Sequence, residues 1–403
     1  MKPHAPDYSL IVTTLALLCI GIVMVYSASL IDSYAKFGEQ TYFFQRQLIW
    51  SCAGVLVMFL FMRIPYHFWR RMSLLVLLAS VALLVAVLVP GIGTTVLGAT
   101  RWIRIAGIPV GQPSEMCKVT LAIYMAAWLS GKGQRVREFG YGLLPFVTIL
   151  AVIVALVMKQ PDMGTALVII GTAVTIFFVS GASLIQLLPV GAIGALGMLY
   201  MALNTGYRQG RLTAFLDPWS HTEDTGYHVV QSLIALGAGG VQGLGLGDSR
   251  QKFGLLPFPY TDSIFAVIGE ELGLVGCSVV LTLFLLLAYR GLRTAWRAPD
   301  RFGALLAIGI SCQMALQAFL NIAVVTSTVP FTGITLPFVS YGGSSMLVSF
   351  AAMGILLNVT KYAEEKIYDE DLAPAAERRR HWWARFSHAR RGAGRARPSL
   401  ARA

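Results

Sequence analysis

Long apolar runs separated by short polar turns set the pattern of this chain. Met72–Val89 is eighteen residues without a charge, and Leu272–Tyr289 is another eighteen. A helix needs roughly 20 residues to cross a bilayer, and such stretches recur throughout. The pattern predicts ten spans, near 8–28, 44–62, 72–89, 113–130, 141–158, 164–181, 184–203, 263–289, 302–325 and 339–359. The expected fold is all-α and polytopic, with a long extracytoplasmic loop, about 204–262, between the seventh and eighth helices. Residues 1–360 form the transmembrane domain, and 361–403 are expected to be a basic, disordered cytoplasmic tail. The first run is too long for the core of a cleaved signal peptide, and Asp7 spoils the basic flank, so an uncleaved anchor is expected. Neither a repeat of 20–50 residues nor a pair of broken helices in the two halves is visible.

Composition supports the class. Charged residues make up 13% of the 403 and hydrophobic ones 56%, against about 25% charge in soluble domains. A net charge of +12 would suit nucleic acid, but the positions of the cations argue otherwise. With both termini cytoplasmic, 22 of the 32 Lys and Arg residues fall on inside segments, as the positive-inside bias requires. That bias fits a multi-pass membrane protein with both termini cytoplasmic and no nucleic-acid partner. Arg378–Arg402 hold nine bases and no acid, with Trp382, Trp383 and Phe386 among them. This tail reads either as a contact with anionic membrane lipid or as a topology anchor alone.

Several chemistries drop out. The five cysteines lie in predicted spans without CxxC spacing and read as apolar filler. The six histidines form no metal pattern. No GxxxxGK[ST] occurs, so an ATP-driven pump is not expected, and the glycine-rich stretch Gly237–Gly247 reads as a bent or flexible loop.

The remaining signal is charge where charge is expensive. Asp262 opens the eighth span, and Glu270 and Glu271 lie about 12 Å deeper along it. These two glutamates read either as a buried helix contact or as the lining of a cavity. Gln112-Pro-Ser-Glu115 opens the fourth span, and Glu115 and Lys118 share a face at i, i+3, where they either neutralise each other or act on a ligand. Arg101, Trp102 and Arg104 precede them; Lys159-Gln-Pro-Asp162 forms the next outside turn; Arg208 and Arg211 open the long loop. An acid among cations at the outer leaflet suits an anionic, lipid-linked substrate: cations hold phosphate and a carboxylate takes a proton.

Ordered motifs then carry a resemblance. Phe215-Leu-Asp-Pro-Trp219, Gly226-Tyr-His-Val-Val-Gln-Ser-Leu-Ile-Ala235, and Thr261-Asp-Ser-Ile-Phe-Ala-Val-Ile-Gly-Glu-Glu-Leu-Gly273 resemble the SEDS family, the shape, elongation, division and sporulation proteins of bacteria. Arg101-Trp-Ile103, Gln112-Pro-Ser-Glu115 with Lys118, Gln160-Pro-Asp-Met-Gly164 and Thr335-Leu-Pro-Phe-Val-Ser-Tyr-Gly-Gly-Ser-Ser345 match in family order, over about 8–360. Ser249-Arg-Gln-Lys-Phe253 looks more like the division and sporulation branch. Departures are Phe258 and Tyr260, where the family commonly has an acid and a polar residue, and His228, where Gln is usual.

The resemblance implies a ten-span peptidoglycan glycosyltransferase that polymerises lipid II with a class B penicillin-binding protein and other division or elongation proteins. It implies Asp262 as general base and Trp102, Glu115 and Lys118 as functional. The leaving pyrophosphate then needs cations from Arg101, Lys118 and Arg208 or a divalent metal such as Mg²⁺ or Mn²⁺; no organic cofactor is expected. Two other classes fit the same residues: a lipid II flippase, and a non-catalytic scaffold for the penicillin-binding protein.

Overall fold

The computed structural model describes residues 4–96, 99–105, 108–203, 206–222 and 226–363. The expected tail beyond 363 lies outside the described residues. Three helices come first: α1 (Tyr8–Phe37), α2 (Tyr42–Arg63) and α3 (Tyr66–Leu88). Asp7 caps α1 by accepting from the Ser9 N–H, and Gly38 closes it in the left-handed region. At 30 residues α1 is about 45 Å long, so it outreaches a hydrocarbon core of roughly 30 Å.

A feature absent from the all-α expectation follows. β1 (Gly93–Val96), β2 (Ala99–Ile105) and β3 (Ile108–Gly111) form an antiparallel three-stranded sheet in that order. Thr, Val and Ile favour a pleated surface, and these strands are too short for a hydropathy window to register. The sheet leads into α4 (Pro113–Ser130), followed by α5 (Leu144–Lys159), α6 (Met163–Val179) and α7 (Leu184–Leu203). The long outer loop is not structureless: it contains α8 (Gly206–Leu216) and α9 (Tyr227–Gly239). Then come α10 (Ile264–Arg297), α11 (Arg301–Val325) and α12 (Gly343–Thr360).

The ten predicted spans coincide with α1–α7 and α10–α12. Among the described residues, seven segments are long and apolar enough to cross a membrane: α1, α2, α3, Phe139–Lys159 containing α5, α10, α11 and α12. The α6 helix is apolar but shorter, and α4 carries Glu115 and Lys118 within it. Burial ranks the helices. Of the most apolar window, 67% of α11 and 72% of α12 is buried, against 28% in α2, α3 and α10. The first pair therefore forms the centre and the others face lipid. Close approach of α2 to α12 depends on small residues: a Cβ on Gly54 would stand 2.4 Å from the Phe350 ring, and one on Gly354 2.4 Å from the Met58 carbonyl.

Two irregularities shape the site. The helix of the tenth predicted span, α12, begins at Gly343, later than expected, because 326–342 is a non-helical strap inside the bundle. Ile334, Leu336, Phe338 and Val339 of this strap are buried, and Val339 packs so tightly on α1 that a Cβ on Gly21 would meet its Cα at 2.6 Å. Non-helical backbone at that depth must be satisfied by protein. Side chains do this: Asn321 donates to Ile334 O at 2.6 Å, Gln317 to Thr335 O at 3.1 Å, Arg211 to Phe331 O at 3.0 Å and Gln47 to Ser340 O at 3.5 Å.

The second irregularity is a break in α10 at Gly273 (φ 65°, ψ −163°). The glycine-rich stretch read as flexible threads through it. Leu244 and Gly245 donate to Glu270 O and Glu271 O at 2.9 and 3.0 Å, while Leu274 and Val275 donate to Gly240 O and Val241 O at 3.0 and 3.2 Å. Backbone groups released by the break are thus bonded by the loop. Glycine is required by space: a Cβ on Gly239 would lie 1.9 Å from Gly269 O, and one on Gly243 2.2 Å from Glu271 O.

Candidate functional site

Asp262 stands just before α10, held by its backbone and neighbours. Its carbonyl accepts from Asn321 Nδ2 at 2.8 Å, and Thr261 Oγ1 donates to its Oδ1 at 3.1 Å. Next to it, the Ser263 hydroxyl donates to Pro257 O at 3.0 Å and lies 2.7 Å from His228 Nε2. With the serine proton so used, the histidine Nε2 carries the hydrogen between them. Burial, with the Arg211 charge adding to it, pushes the His228 imidazole down to about 4, so at neutral pH it is an uncharged donor.

Asp262 as a residue is half-buried, and desolvation of its carboxyl group pushes it up to about 6, against the pull of the Thr261 hydroxyl and the Arg211 guanidinium. Gly333 of the strap passes close beside it: a Cβ there would lie 3.5 Å from Oδ2. Phe331 is gripped from two sides, with the His228 ring at 4.0 Å and the Arg211 guanidinium 5.0 Å above its ring. Among the described side chains of α8, Arg211 is the cation whose charge acts on Asp262; the expected Arg208 side chain lies outside the described residues.

A second polar group sits one turn along α11. Lys118 donates to Glu115 Oε1 at 2.9 Å and to Gln317 Oε1 at 2.6 Å, and all three residues are buried. The i, i+3 pairing expected from sequence is present. Gln317 and Asn321 are four residues apart, about 6 Å along the helix, and bind the successive carbonyls Thr335 O and Ile334 O. The strap therefore links the lysine cluster to Asp262. The motifs around Lys118 are tied together by buried Asp162, which accepts from Gln112 Nε2 at 2.9 Å, Ser114 Oγ at 3.1 Å and the Thr165 N–H at 3.2 Å.

Arg101 donates to Gln160 O at 3.0 Å and to Pro161 O, which fixes the sheet to the α5–α6 turn. Trp102 is half-buried in β2, opposite Thr94. Glu270 and Glu271 are taken up by internal bonds. Glu270 accepts from Ser249 Oγ at 2.5 Å and from the Arg250 N–H at 2.9 Å, and Glu271 from Ser27 Oγ at 2.6 Å and Lys252 Nζ at 2.8 Å. They hold the outer loop onto α10 and α1. The sequence singled out Ser249–Phe253 only as a branch feature; Lys252, Gln317, Asn321 and Arg211 owe their importance to partners far along the chain. Among the described residues no group of three or more His, Cys, Asp or Glu side chains is placed to hold a metal ion.

Seven described segments long and apolar enough to cross a membrane, a buried non-helical strap and a desolvated carboxylate at one end of the bundle define a multi-pass membrane protein with a polar site at that end. The chain belongs to the FtsW/RodA/SpoVE family, whose model, described as "Cell cycle protein", matches residues 8–365. It is 42% identical over 362 residues to stage V sporulation protein E of Bacillus subtilis (strain 168), covering 90% of this chain and 99% of that protein. It is likewise 42% identical over 355 residues to the probable peptidoglycan glycosyltransferase FtsW of Geobacter sp. (strain M18), covering 88% and 96%. Among solved structures it is similar to a chain from work on how a peptidoglycan synthase complex coordinates polymerization and crosslinking, with TM-score 0.72 and 27% identity, covering 88% of this chain and 98% of that one. It is also similar to the rod shape determining protein RodA of Thermus thermophilus, with TM-score 0.66 and 26% identity, covering 89% and 99%.

Proposed function

We propose that this protein is a peptidoglycan glycosyltransferase that polymerises lipid II at the outer face of the bacterial cytoplasmic membrane, with both termini cytoplasmic and a class B penicillin-binding protein as partner. The observation that carries this reading is Asp262: one desolvated carboxylate, beside Arg211 and the strap, with the Glu115–Lys118–Gln317 cluster one helical turn away. In the proposed reaction Asp262 removes the proton from the 4-hydroxyl of the acceptor GlcNAc. The oxygen then bonds to the anomeric carbon of the donor MurNAc, inverting it, while the C1–O bond breaks and undecaprenyl pyrophosphate departs.

A base near pKa 6 is mostly ionised at pH 7 and still basic enough to accept a proton. Lys118, and Arg211 with Arg208 on α8, supply cations for the pyrophosphate. The bonds of Arg101 to the α5–α6 turn make it the holder of Trp102 and the sheet as much as a phosphate ligand. A Mg²⁺ or Mn²⁺ ion would join through pyrophosphate oxygens, which commonly supply much of the coordination of such ions.

The test is lipid II polymerisation by the purified complex with its transpeptidase blocked. Asp262→Ala is expected to lower the rate by about 10²–10⁴-fold with partner binding intact. Undiminished polymer would overturn the role of Asp262. Labelled lipid II crossing vesicles without the partner and without polymer would favour the flippase reading instead.

A further inference from the structure

The end of the bundle opposite Asp262 carries another polar concavity, where the α4–α5 connection meets the ends of α6 and α11. It is open to the surface, has a volume of about 220 Å³ and is lined by Gly133, Arg137, Ser180, Gly181 and Arg301. One turn positions both arginines: Arg137 Nε donates to Gly181 O at 3.0 Å, and Arg301 Nη2 to Ser180 O at 3.3 Å. A cation at the carbonyl end of α6 is an ordinary helix partner, and one would serve that purpose.

Two guanidiniums share the concavity. Both arginines are exposed; each has five N–H donors, of which one is bonded to a described protein group. Among the described residues neither has a carboxylate within 4.0 Å. Like charges so placed repel, and an anion between them would reverse the sign of the interaction. The walls leave room for one: Gly133 (φ 56°) and Gly181 (φ 109°) have no neighbouring atom within 4 Å of the Cβ position. The planar arginine fork matches phosphate oxygens in pairs, and the pocket lies at helix ends, where lipid headgroups sit.

We propose that this pocket binds a single phosphate group, carried either by an anionic lipid headgroup of the adjacent leaflet or by a soluble phosphoryl anion. Full-length protein in lipid-free detergent, offered phosphatidylglycerol or phosphatidylcholine and analysed by native mass spectrometry, tests the first source; calorimetric titration with inorganic phosphate tests the second. Wild-type protein should retain phosphatidylglycerol in preference to phosphatidylcholine, and Arg137→Gln with Arg301→Gln should weaken that retention about tenfold. Each single substitution should give an intermediate loss, and Arg71→Gln, an exposed cation on α3, none. Phosphate binding with the same dependence on the two arginines, without lipid preference, would support the site with a soluble ligand. Lipid and phosphate binding unchanged in the double variant, or lipid retention lost equally in Arg71→Gln, would overturn it. An unchanged size-exclusion profile confirms that each variant is folded.

Discussion

Protein atoms around Asp262 withhold water from its carboxylate, and Thr261 and Arg211 restore only part of the lost stabilisation, which is why its pKa rises to about 6. The chemistry follows the charged form. The rate constant kcat/KM should fall about tenfold from pH 7 to pH 5, because a base of pKa 6 is roughly nine-tenths ionised at the first and one-tenth at the second. A pH profile of polymerisation reads this limb directly; a flat profile would contradict it. Stability runs the other way. The folded pKa lies above the unfolded value of about 3.9, so the native state loses stability as pH rises between the two, and the loss is complete above about pH 6. Asp262→Asn should therefore melt at a higher temperature than the wild type at pH 7.5, and the difference should close as pH falls towards 4. Asp262, Glu115 and Lys118 were legible in the sequence, since an acid at a span boundary and an i, i+3 pair are local features. Gln317 was not, because its bond to Lys118 joins positions 199 residues apart.

Among the elements, the long apolar helices were readable because hydropathy is a property of consecutive residues. The break in α10 was not: no window on 264–297 reveals that N–H groups from 244 and 245 will replace its missing bonds. The glycines of that joint separate into two kinds. Gly237 faces open space in α9, so Gly237→Ala should be neutral or stabilising by about 0.5–1 kcal/mol. Gly239→Ala, two residues on, forces a methyl into Gly269 O and should cost several times as much, about 2–4 kcal/mol. Thermal unfolding in detergent separates the two. The buried Lys252–Glu271 pair makes a related point. Lys252→Ala alone leaves a charge without its partner and should cost about 3–5 kcal/mol, while replacing both members with apolar residues should cost much less.

At the scale of the whole molecule, the cations of Arg63, Arg71, Arg137 and Arg301 lie at one end of the bundle and Asp262 at the other. If the positive-inside bias sets orientation, a cysteine introduced at Ser220 should react with a membrane-impermeant maleimide in intact cells. One introduced at Lys132 should react only after the membrane is opened. The opposite labelling would reverse the topology and put Asp262 on the cytoplasmic side.

The crossing of the 240–245 backbone with α10 has a mechanical consequence. Neither strand of that joint has a complete set of backbone bonds without the other, so the outer loop cannot lift away while α10 stays intact. A force applied to the loop by a neighbouring protein would be transmitted into the transmembrane helix rather than absorbed by slack chain. The amides of Leu244, Gly245, Leu274 and Val275 should accordingly exchange with deuterium as one cooperative unit, although they sit on segments that a sequence alignment would treat as separate.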